Sequence, residues 1–259
     1  MPFFFLADIG NTSLKIAIAD ETSIKASYSL PTKLPHSEDS LGLMFPAMLA
    51  DAGLTKDMLA RSAVCSVVPE MTGIFCRACR RYLGVETAVF PDDFPPLIEN
   101  RYSRPSEVGA DRLMAAFAAR TLYPEPASLI SVDFGTATTF DCVSGNAYLG
   151  GVICPGVMSS YGALASGTAK LPHISFDTAD SDDIEIGRDT VTSMRQGFRF
   201  GFIAMTSGLC ARLSAKLPAP CVTVATGGFA ETVAVSGSGI DFVRRDLVSE
   251  GLRLATLRL

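Results

Sequence analysis

The chain has 259 residues, of which 48% are hydrophobic and 19% charged, and its formal net charge is −5. This length fits one large domain or two modest ones, and an acidic chain without a basic stripe is not expected to bind nucleic acid. No uninterrupted apolar stretch reaches the length of a membrane span, so we expect no membrane partner either.

The first half of the chain alternates between strand and helix patterns. Three strands are predicted over 3–8, 14–20 and 23–30 from their apolar and β-branched runs. Beyond a polar stretch, the pattern predicts a helix over 41–54, a buried strand over 61–69, a helix over 71–84 ended by Gly84, a strand over 87–90, a long polar loop over 91–109 and a helix over 110–124.

The turn between the first two strands carries an unusual set of side chains. Asp8 ends the first strand, and Gly10, Asn11, Thr12 and Lys15 follow. Asn and Gly are ordinary residues of a β-hairpin turn. The same residues also suit a phosphate loop, in which backbone N–H groups and a lysine face phosphate oxygens and the aspartate holds Mg²⁺. The stretch is neither a Walker A loop nor a Rossmann fingerprint, so both interpretations stay open on this turn alone.

The second half of the chain repeats this unit. The apolar run "SLISVDFGTATTFDCV" contains Asp133 and Gly135 at the end of a predicted strand, hydroxyl residues beginning at Thr136, and then a second strand. A hairpin explains one such unit, whereas two facing loops that clamp one phosphate chain explain both. A third glycine turn, Thr226-Gly227-Gly228, follows a β-rich run and allows a ligand to approach the backbone closely.

The seven cysteines are odd in number and scattered among apolar residues. Cys76 and Cys79 form a C-x-x-C pair, but a zinc site needs a second pair or nearby histidines, and the chain has only two histidines. We therefore predict reduced structural thiols and a cytoplasmic location.

Six motifs in order give the chain a resemblance to a known family. It resembles the type III pantothenate kinases, of the superfamily that also contains acetate and sugar kinases, Hsp70 and actin. The motifs that carry the resemblance are "DIGNTSLK", "SVVP", "RYSRPSEVGADR", "DFGTATTFD", "GGVICPG" and "TGG". One such motif is weak, but six in the right order over the whole chain are specific.

The resemblance implies an α/β fold made of two ribonuclease-H-like (actin-like ATPase) domains, with the nucleotide cleft between them. The expected domains are 1–125 and 126–259, each with one phosphate loop. The implied reaction is transfer of the γ-phosphate of ATP to the 4′-hydroxyl of pantothenate, with Mg²⁺ and a monovalent cation, K⁺ or NH₄⁺. The resemblance also implies a homodimer in which the partner subunit completes the substrate site.

The implied nucleotide site draws on both loops and on the third turn. Asp8 would hold Mg²⁺ through water, and Asp133 would bind the monovalent cation. The residues expected around ATP are Asp8, Ile9, Gly10, Asn11, Thr12, Ser13, Leu14, Lys15, Gly135, Thr136, Thr226, Gly227 and Gly228. Lys15 could equally be an ordinary outward residue of its strand.

The implied acceptor site centres on Asp111 as general base. The helix N-terminus and adjacent Arg112 are expected to favour its ionised form and a low pKa. Arg112 would bind the pantothenate carboxylate, and Tyr102, Gly109 and Ala110 would line the same site. Asp111 alone could be a helix cap, Arg112 a surface ion pair and Tyr102 a loop aromatic.

Thr190 matches a family threonine that reaches the substrate of the other subunit, although Asp189-Thr190 also has the sequence of a helix N-cap. The helix that follows contains Gly197 and Gly201, four residues apart, in the region that forms the dimer interface of this family.

The alternative to an enzyme is a non-catalytic regulatory homologue, similar to an accessory transcription factor, that keeps the fold. The presence of Asp8, Asp111, Arg112 and Asp133 together argues against it, because a degenerate site has no reason to keep all its charged groups.

Overall fold

The computed structural model describes residues 2–166, 172 and 183–259. The chain divides into two compact units. Unit 1 consists of residues 1–122 and 247–259, and unit 2 consists of residues 123–246. The first boundary lies three residues before the one expected from the sequence.

Unit 1 is built on a five-stranded mixed sheet. Its strands are β1 (Phe3–Ile9), β2 (Ser13–Ala19), β3 (Ile24–Pro31), β4 (Leu59–Ser66) and β5 (Thr87–Phe90), in the order β3-β2-β1-β4-β5. β1 and β2 form an antiparallel hairpin, β2 pairs with β3 in the same way, and β4 runs parallel to both β1 and β5. All five strands were predicted from the sequence. A two-residue strand, β6 (Glu99–Asn100), lies within the long polar loop.

The helices α1 (Glu38–Gly42), α2 (Phe45–Asp51) and α3 (Pro69–Ala78) belong to the same unit as this sheet. The aromatic rings of Phe5, Phe45 and Phe75 meet at its core, with centroids 4.9 to 6.1 Å apart. The single helix predicted over 41–54 is wrong. Pro46 lacks an N–H and cannot extend a preceding helix, so it begins a new one instead. The helix predicted over 71–84 ends as expected at Gly84, through a π-helical turn at Cys79–Leu83.

Two further helices, α4 (Ala110–Leu122) and α8 (Leu247–Thr256), pack against each other and against β4. Arg61 on β4 donates a 2.6 Å hydrogen bond to the carbonyl oxygen of Thr256, and Arg253 donates one of 2.7 Å to that of Glu21. These contacts place residues 247–259 in unit 1. The domain predicted from the sequence, 126–259, includes them in the second half of the chain. The sequence pattern gave no sign of this return, because it depends on tertiary packing.

Unit 2 repeats the strand order of unit 1. Its strands are β7 (Ser128–Phe134), β8 (Ala137–Ser144), β9 (Ala147–Pro155), β10 (Cys221–Gly227) and β11 (Phe242–Val243), in the order β9-β8-β7-β10-β11. The pairs β7–β8 and β8–β9 are antiparallel, and β10 is parallel to both β7 and β11. Each unit therefore has the ribonuclease-H-like arrangement, and the two Asp-x-Gly turns occupy equivalent places.

The helices of unit 2 are α5 (Val157–Ser166), α6 (Thr190–Ser214) and the short α7 (Ala230–Val233). Phe202 and Cys210 of α6 pack on Val132, Phe140 and Ala225 of the sheet. The odd-numbered residues of β8 point to the opposite face, because successive side chains of a strand alternate. Within the described residues, none of the helices combines the length and the apolar character that crossing a bilayer requires.

Candidate active site

The turn between β1 and β2 is a β-hairpin that is anchored by Thr32, the residue after β3. The amide of Gly10 donates to the carbonyl oxygen of Ser13 at 3.0 Å, which closes the turn. The hydroxyl of Thr32 donates to the carbonyl oxygen of Gly10 at 2.8 Å, and the amide of Thr32 donates to that of Thr12 at 3.0 Å. The hairpin interpretation is thus confirmed as geometry. It is compatible with a phosphate loop, which would use the same exposed residues.

The predicted nucleotide residues of this hairpin differ in what they can offer a ligand. Ile9 and Leu14 are fully buried in the core, so only their backbone could contribute. Asn11 and Thr12 are exposed at the tip, whereas Asp8 and Lys15 are half-buried and lie directly opposite each other in the β1–β2 register. The turn therefore presents polar groups on a base of apolar side chains.

Asp111 lies on the first turn of α4, where its carboxylate folds back over Gly109. A Cβ atom at Gly109 would lie 2.5 Å from the Asp111 Oδ1 atom, so a side chain at position 109 would displace the carboxylate. The amide of Arg112 donates to this oxygen at 2.8 Å. The amide of Tyr102, in the preceding loop, donates to the Asn100 side chain at 3.0 Å. Ala110 begins α4, so all five residues of the predicted acceptor site fall on one short stretch.

Burial raises the pKa of the Asp111 carboxyl above its ordinary value, against the opposing effects of the Arg112 amide and charge. The low pKa expected from the sequence is therefore wrong. The helix N-terminus and Arg112 were visible in the sequence, but the loss of solvent around the carboxylate was not. A carboxylate with a raised pKa is a better proton acceptor than an exposed aspartate.

Asp8 and Asp111, which are far apart in the sequence, both act electrostatically on one buried thiol. Cys65 on β4 is fully buried and lies in register with Asp8 on β1. Its thiol pKa is raised well above the ordinary value, first by burial and then by the charges of Asp8 and Asp111. Both carboxylates are therefore close enough to Cys65 to act on it electrostatically.

In unit 2, the carboxylate of Asp133 lies beside Gly227. Gly227 has a φ of +91°, and a Cβ atom there would lie 2.5 Å from the Asp133 Oδ1 atom and 2.7 Å from the carbonyl group of Phe134. Thr226 lies in register with Asp133 and donates its hydroxyl to the carbonyl oxygen of Arg245 at 3.2 Å. A Cβ atom on Gly228 would meet no atom within 4 Å.

The loop after Asp133 is held by contacts with Ala137, Gly156 and Ser159. The amide of Gly135 donates to the carbonyl oxygen of Ala137 at 3.1 Å. Gly156 approaches so closely that a side chain there would overlap the carbonyl oxygens of Gly135 and Thr136, and Ser159 donates to the Thr136 carbonyl at 2.6 Å. Gly156 belongs to the motif "GGVICPG", whereas nothing in the sequence indicated Thr32 or Ser159.

Thr190 is the first residue of α6. The N-cap is Asp189, whose side chain accepts from the Thr192 amide at 2.9 Å and from its hydroxyl at 2.8 Å. These bonds lower the Asp189 pKa. Thr190 lines a groove of about 840 Å³ in unit 2. The other residues that line it include Leu164, Met194, Gly197, Phe198, Gly201 and Phe202.

Solved structures define the class of fold. The chain is similar to a conserved Baf family protein from Campylobacter jejuni, with a TM-score of 0.60, 16% identity and coverage of 98% of this chain and 97% of that one. It is also similar to component A of (R)-2-hydroxyglutaryl-CoA dehydratase from Acidaminococcus fermentans, with a TM-score of 0.53, 14% identity and coverage of 99% and 97%. At these identities the likeness concerns the fold alone, which is that of the actin-like ATPases and sugar kinases.

Sequence comparison identifies the family within this class. The sequence model of the type III pantothenate kinases matches residues 4–212. A type III pantothenate kinase of Nitratidesulfovibrio vulgaris (strain Miyazaki F) is 54% identical over 254 residues, which cover 98% of this chain and 97% of the relative. One of Oleidesulfovibrio alaskensis is 53% identical over 251 residues, covering 97% and 95%. The chain belongs to the type III pantothenate kinase family.

Proposed function

We propose that this chain transfers the γ-phosphate of ATP to the 4′-hydroxyl of pantothenate, the first step toward coenzyme A. In a chain of this family, the observation that carries the proposal is a pair of carboxylates in unit 1: Asp8 lies in register with Cys65 on β4, and Asp111 lies in the first turn of α4 and also acts electrostatically on Cys65. A kinase needs one carboxylate for the metal and one for the acceptor hydroxyl, and unit 1 supplies a candidate for each.

Asp111 serves as the proton acceptor. The 4′-oxygen of pantothenate forms a bond to the γ-phosphorus, the bond from that phosphorus to the bridging oxygen breaks, and ADP leaves with the electron pair. The hydroxyl proton passes to the Asp111 carboxylate, whose pKa is raised by burial. Arg112 follows directly on α4 and is assigned to the pantothenate carboxylate, and Tyr102 to the wall of the same site.

The residues of unit 1 fit a hydrated magnesium ion. The described part of the chain has no group of three or more His, Cys, Asp or Glu that could hold a metal by itself. Mg²⁺ in kinases is commonly held by one or two carboxylates together with waters and phosphate oxygens, so the Asp8 carboxylate alone suits it. Mg²⁺ would neutralise charge on the phosphates, while Lys15 and the exposed tip of the turn at Asn11 and Thr12 hold and orient them.

The residues of unit 2 fit a monovalent cation. Asp133 offers one carboxylate, and the absence of a side chain at Gly227 keeps the space beside its Oδ1 atom accessible. A single carboxylate supplemented by neutral oxygens matches the charge of K⁺ or NH₄⁺. We assign Asp133 to this cation and Thr136, Thr226, Gly227 and Gly228 to the nucleotide.

We also propose a homodimer formed through the groove that Thr190 lines. Apolar side chains are exposed nearby in sequence, with Ile186 91% and Ile184 64% exposed. Gly197 and Gly201 line the groove without any atom within 4 Å of a would-be Cβ, so a second helix could approach closely. Gly201→Arg should yield monomers in light scattering, whereas Gly208→Arg, on the same helix but outside the groove, should not. A dimeric Gly201→Arg variant would contradict this interface.

All seven cysteines are free, and four of them are buried. Free thiols fit a reducing compartment, and this supports a cytoplasmic location for the reaction.

The test is a coupled assay of ADP release with ATP, Mg²⁺ and pantothenate, with and without K⁺, on the wild type and on Asp111→Asn. The proposal predicts release that requires pantothenate, depends on K⁺ and collapses in the variant. A folded protein that binds ATP but releases no ADP at any K⁺ or NH₄⁺ concentration would refute the kinase and favour the regulatory homologue.

A further inference from the structure

A row of three oxygen-bearing side chains crosses the sheet of unit 2. In the strand registers, Thr226 on β10 and Thr139 on β8 both lie directly opposite Asp133 on β7. Directly opposed residues of neighbouring strands point to the same face, with Cβ atoms about 4.5–5.5 Å apart in an antiparallel pair. Thr139 therefore lies beside the proposed cation ligand.

The hydroxyl proton of Thr139 is directed away from Asp133. Its Oγ1 atom donates to the Oδ2 atom of Asp141 at 3.2 Å, and the Tyr148 hydroxyl donates to the other oxygen at 2.9 Å. Asp141 is 1% exposed and Tyr148 fully buried, so this arrangement is shielded from water. Thr139 is the donor in this bond, so its oxygen keeps lone pairs for another group.

The two units carry different side chains at the equivalent position opposite their first aspartate. In unit 1 the residue opposite Asp8 is Lys15, and in unit 2 the residue at the equivalent place opposite Asp133 is Thr139. The first loop thus carries an ammonium at the position where the second carries a hydroxyl that offers lone pairs. A carboxylate and a neighbouring hydroxyl on the same face both offer oxygen atoms that a monovalent cation can bind together.

We propose that Thr139 is a further side-chain ligand of the monovalent cation assigned to Asp133, and that Asp141 is the positioning residue that orients its hydroxyl. This inference rests on the proposed function for the presence of the cation. Thr139 contributes a neutral oxygen that adds no charge, which suits K⁺ and equally accepts a hydrogen bond from NH₄⁺.

The neighbouring threonine provides a matched control. Thr138 is fully buried and points to the face that carries the apolar core, and its hydroxyl has no hydrogen-bond partner among the described residues. Thr138→Val and Thr139→Val therefore make the same chemical change one residue apart on opposite faces of one strand. Thr139→Ser keeps the hydroxyl and tests whether loss of binding comes from the oxygen or from packing.

The experiment is a titration of the full chain with thallium(I), a spectroscopic mimic of K⁺, followed by ²⁰⁵Tl NMR in the presence of Mg²⁺ and ADP. We expect the wild type, Thr138→Val and Thr139→Ser to bind within about threefold of one another. We expect Thr139→Val to bind at least about tenfold more weakly, which corresponds to about 1.4 kcal/mol. Equal affinity of Thr139→Val and Thr138→Val would overturn the inference.

The same titration separates this inference from the proposed function. A wild type that releases ADP with pantothenate but binds no thallium would overturn the cation ligand and leave the kinase standing. A wild type that binds thallium through Thr139 but never turns over would uphold the ligand and refute the kinase.

Two further variants test the role of Asp141 and the comparison between the two units. Asp141→Asn should raise the K⁺ concentration for half-maximal rate while the rate at saturating K⁺ stays within about twofold, because asparagine has one acceptor oxygen and cannot accept from both Thr139 and Tyr148 as Asp141 does. Thr139→Lys, which copies Lys15, should lose thallium binding and make turnover independent of K⁺. An Asp141→Asn variant with a lower melting temperature but an unchanged K⁺ concentration for half-maximal rate would refute the positioning role.

Discussion

Gly227 provides the sharpest structural prediction, because replacing it with alanine affects backbone strain and the Asp133 carboxylate together. The residue has a φ of +91°, and the added Cβ atom would lie 2.5 Å from the Asp133 Oδ1 atom. It would also lie 2.7 Å from the backbone carbonyl carbon and oxygen of Phe134, which cannot rotate away as a flexible side chain could. Either the β10 turn or the end of β7 must therefore shift.

The magnitude follows from the strain. A non-glycine residue in a sparsely populated φ/ψ region costs about 1–3 kcal/mol. For a chain of this size each kcal/mol shifts the melting temperature by about 2–4 °C, so Gly227→Ala should melt about 2–12 °C below the wild type. The shift should be accompanied by weaker binding of the monovalent cation, since the Asp133 carboxylate is displaced.

Gly228→Ala is the matched control. A Cβ atom at Gly228 would meet no atom within 4 Å, and the effect of alanine on the unfolded chain is shared by both variants. The difference between the two melting temperatures, measured by calorimetry, therefore isolates the strain at Gly227. If the two variants melted at the same temperature, the close approach of Gly227 to Asp133 and Phe134 would be refuted.

Three further predictions concern Asp111, Thr32 and a pair of buried threonines. Because burial raises the Asp111 pKa, the ionised carboxylate destabilises the folded state at neutral pH. Asp111→Asn should therefore unfold at a higher denaturant concentration than the wild type at neutral pH, and this gain in stability should shrink as the pH falls. A variant that is less stable than the wild type at neutral pH would contradict this. Thr32→Val removes the hydroxyl that holds Gly10 and should raise the KM for ATP several-fold in steady-state kinetics, whereas an unchanged KM would exclude this anchor. Thr206→Val removes a buried hydroxyl that has no hydrogen-bond partner in the part of the chain that the structure describes, and it should be neutral or stabilising. Thr256→Val loses a 2.7 Å bond to Leu252 and should cost about 1 kcal/mol in urea unfolding; the reverse order would contradict both assignments.

The repeat of the fold could be predicted from local sequence. Asp8 and Asp133 each follow an apolar strand and precede Gly at the same spacing, and the structure places both on equivalent strands of sheets with the same order. The helix boundary at Pro46 was also present in the sequence, since proline disfavours a continuous helix, but the apolar spacing across it favoured one helix.

Other features depend on contacts that no local pattern encodes. The return of α8 to unit 1 depends on its packing against α4 and on the Arg61 and Arg253 bonds. The raised pKa of Asp111 depends on burial, and the cross-strand position of Thr139 beside Asp133 depends on register. Sequence reasoning found the carboxylates of the candidate site but not the groups that tune and orient them.

The central claim is that this chain phosphorylates pantothenate, and the most direct measurement is identification of the product. Purified protein would be incubated with ATP, Mg²⁺, K⁺ and pantothenate, and the products separated and analysed by mass spectrometry and ³¹P NMR. We expect 4′-phosphopantothenate from the wild type and none from Asp111→Asn. Unmodified pantothenate after incubation with folded, ATP-binding wild-type protein would contradict it.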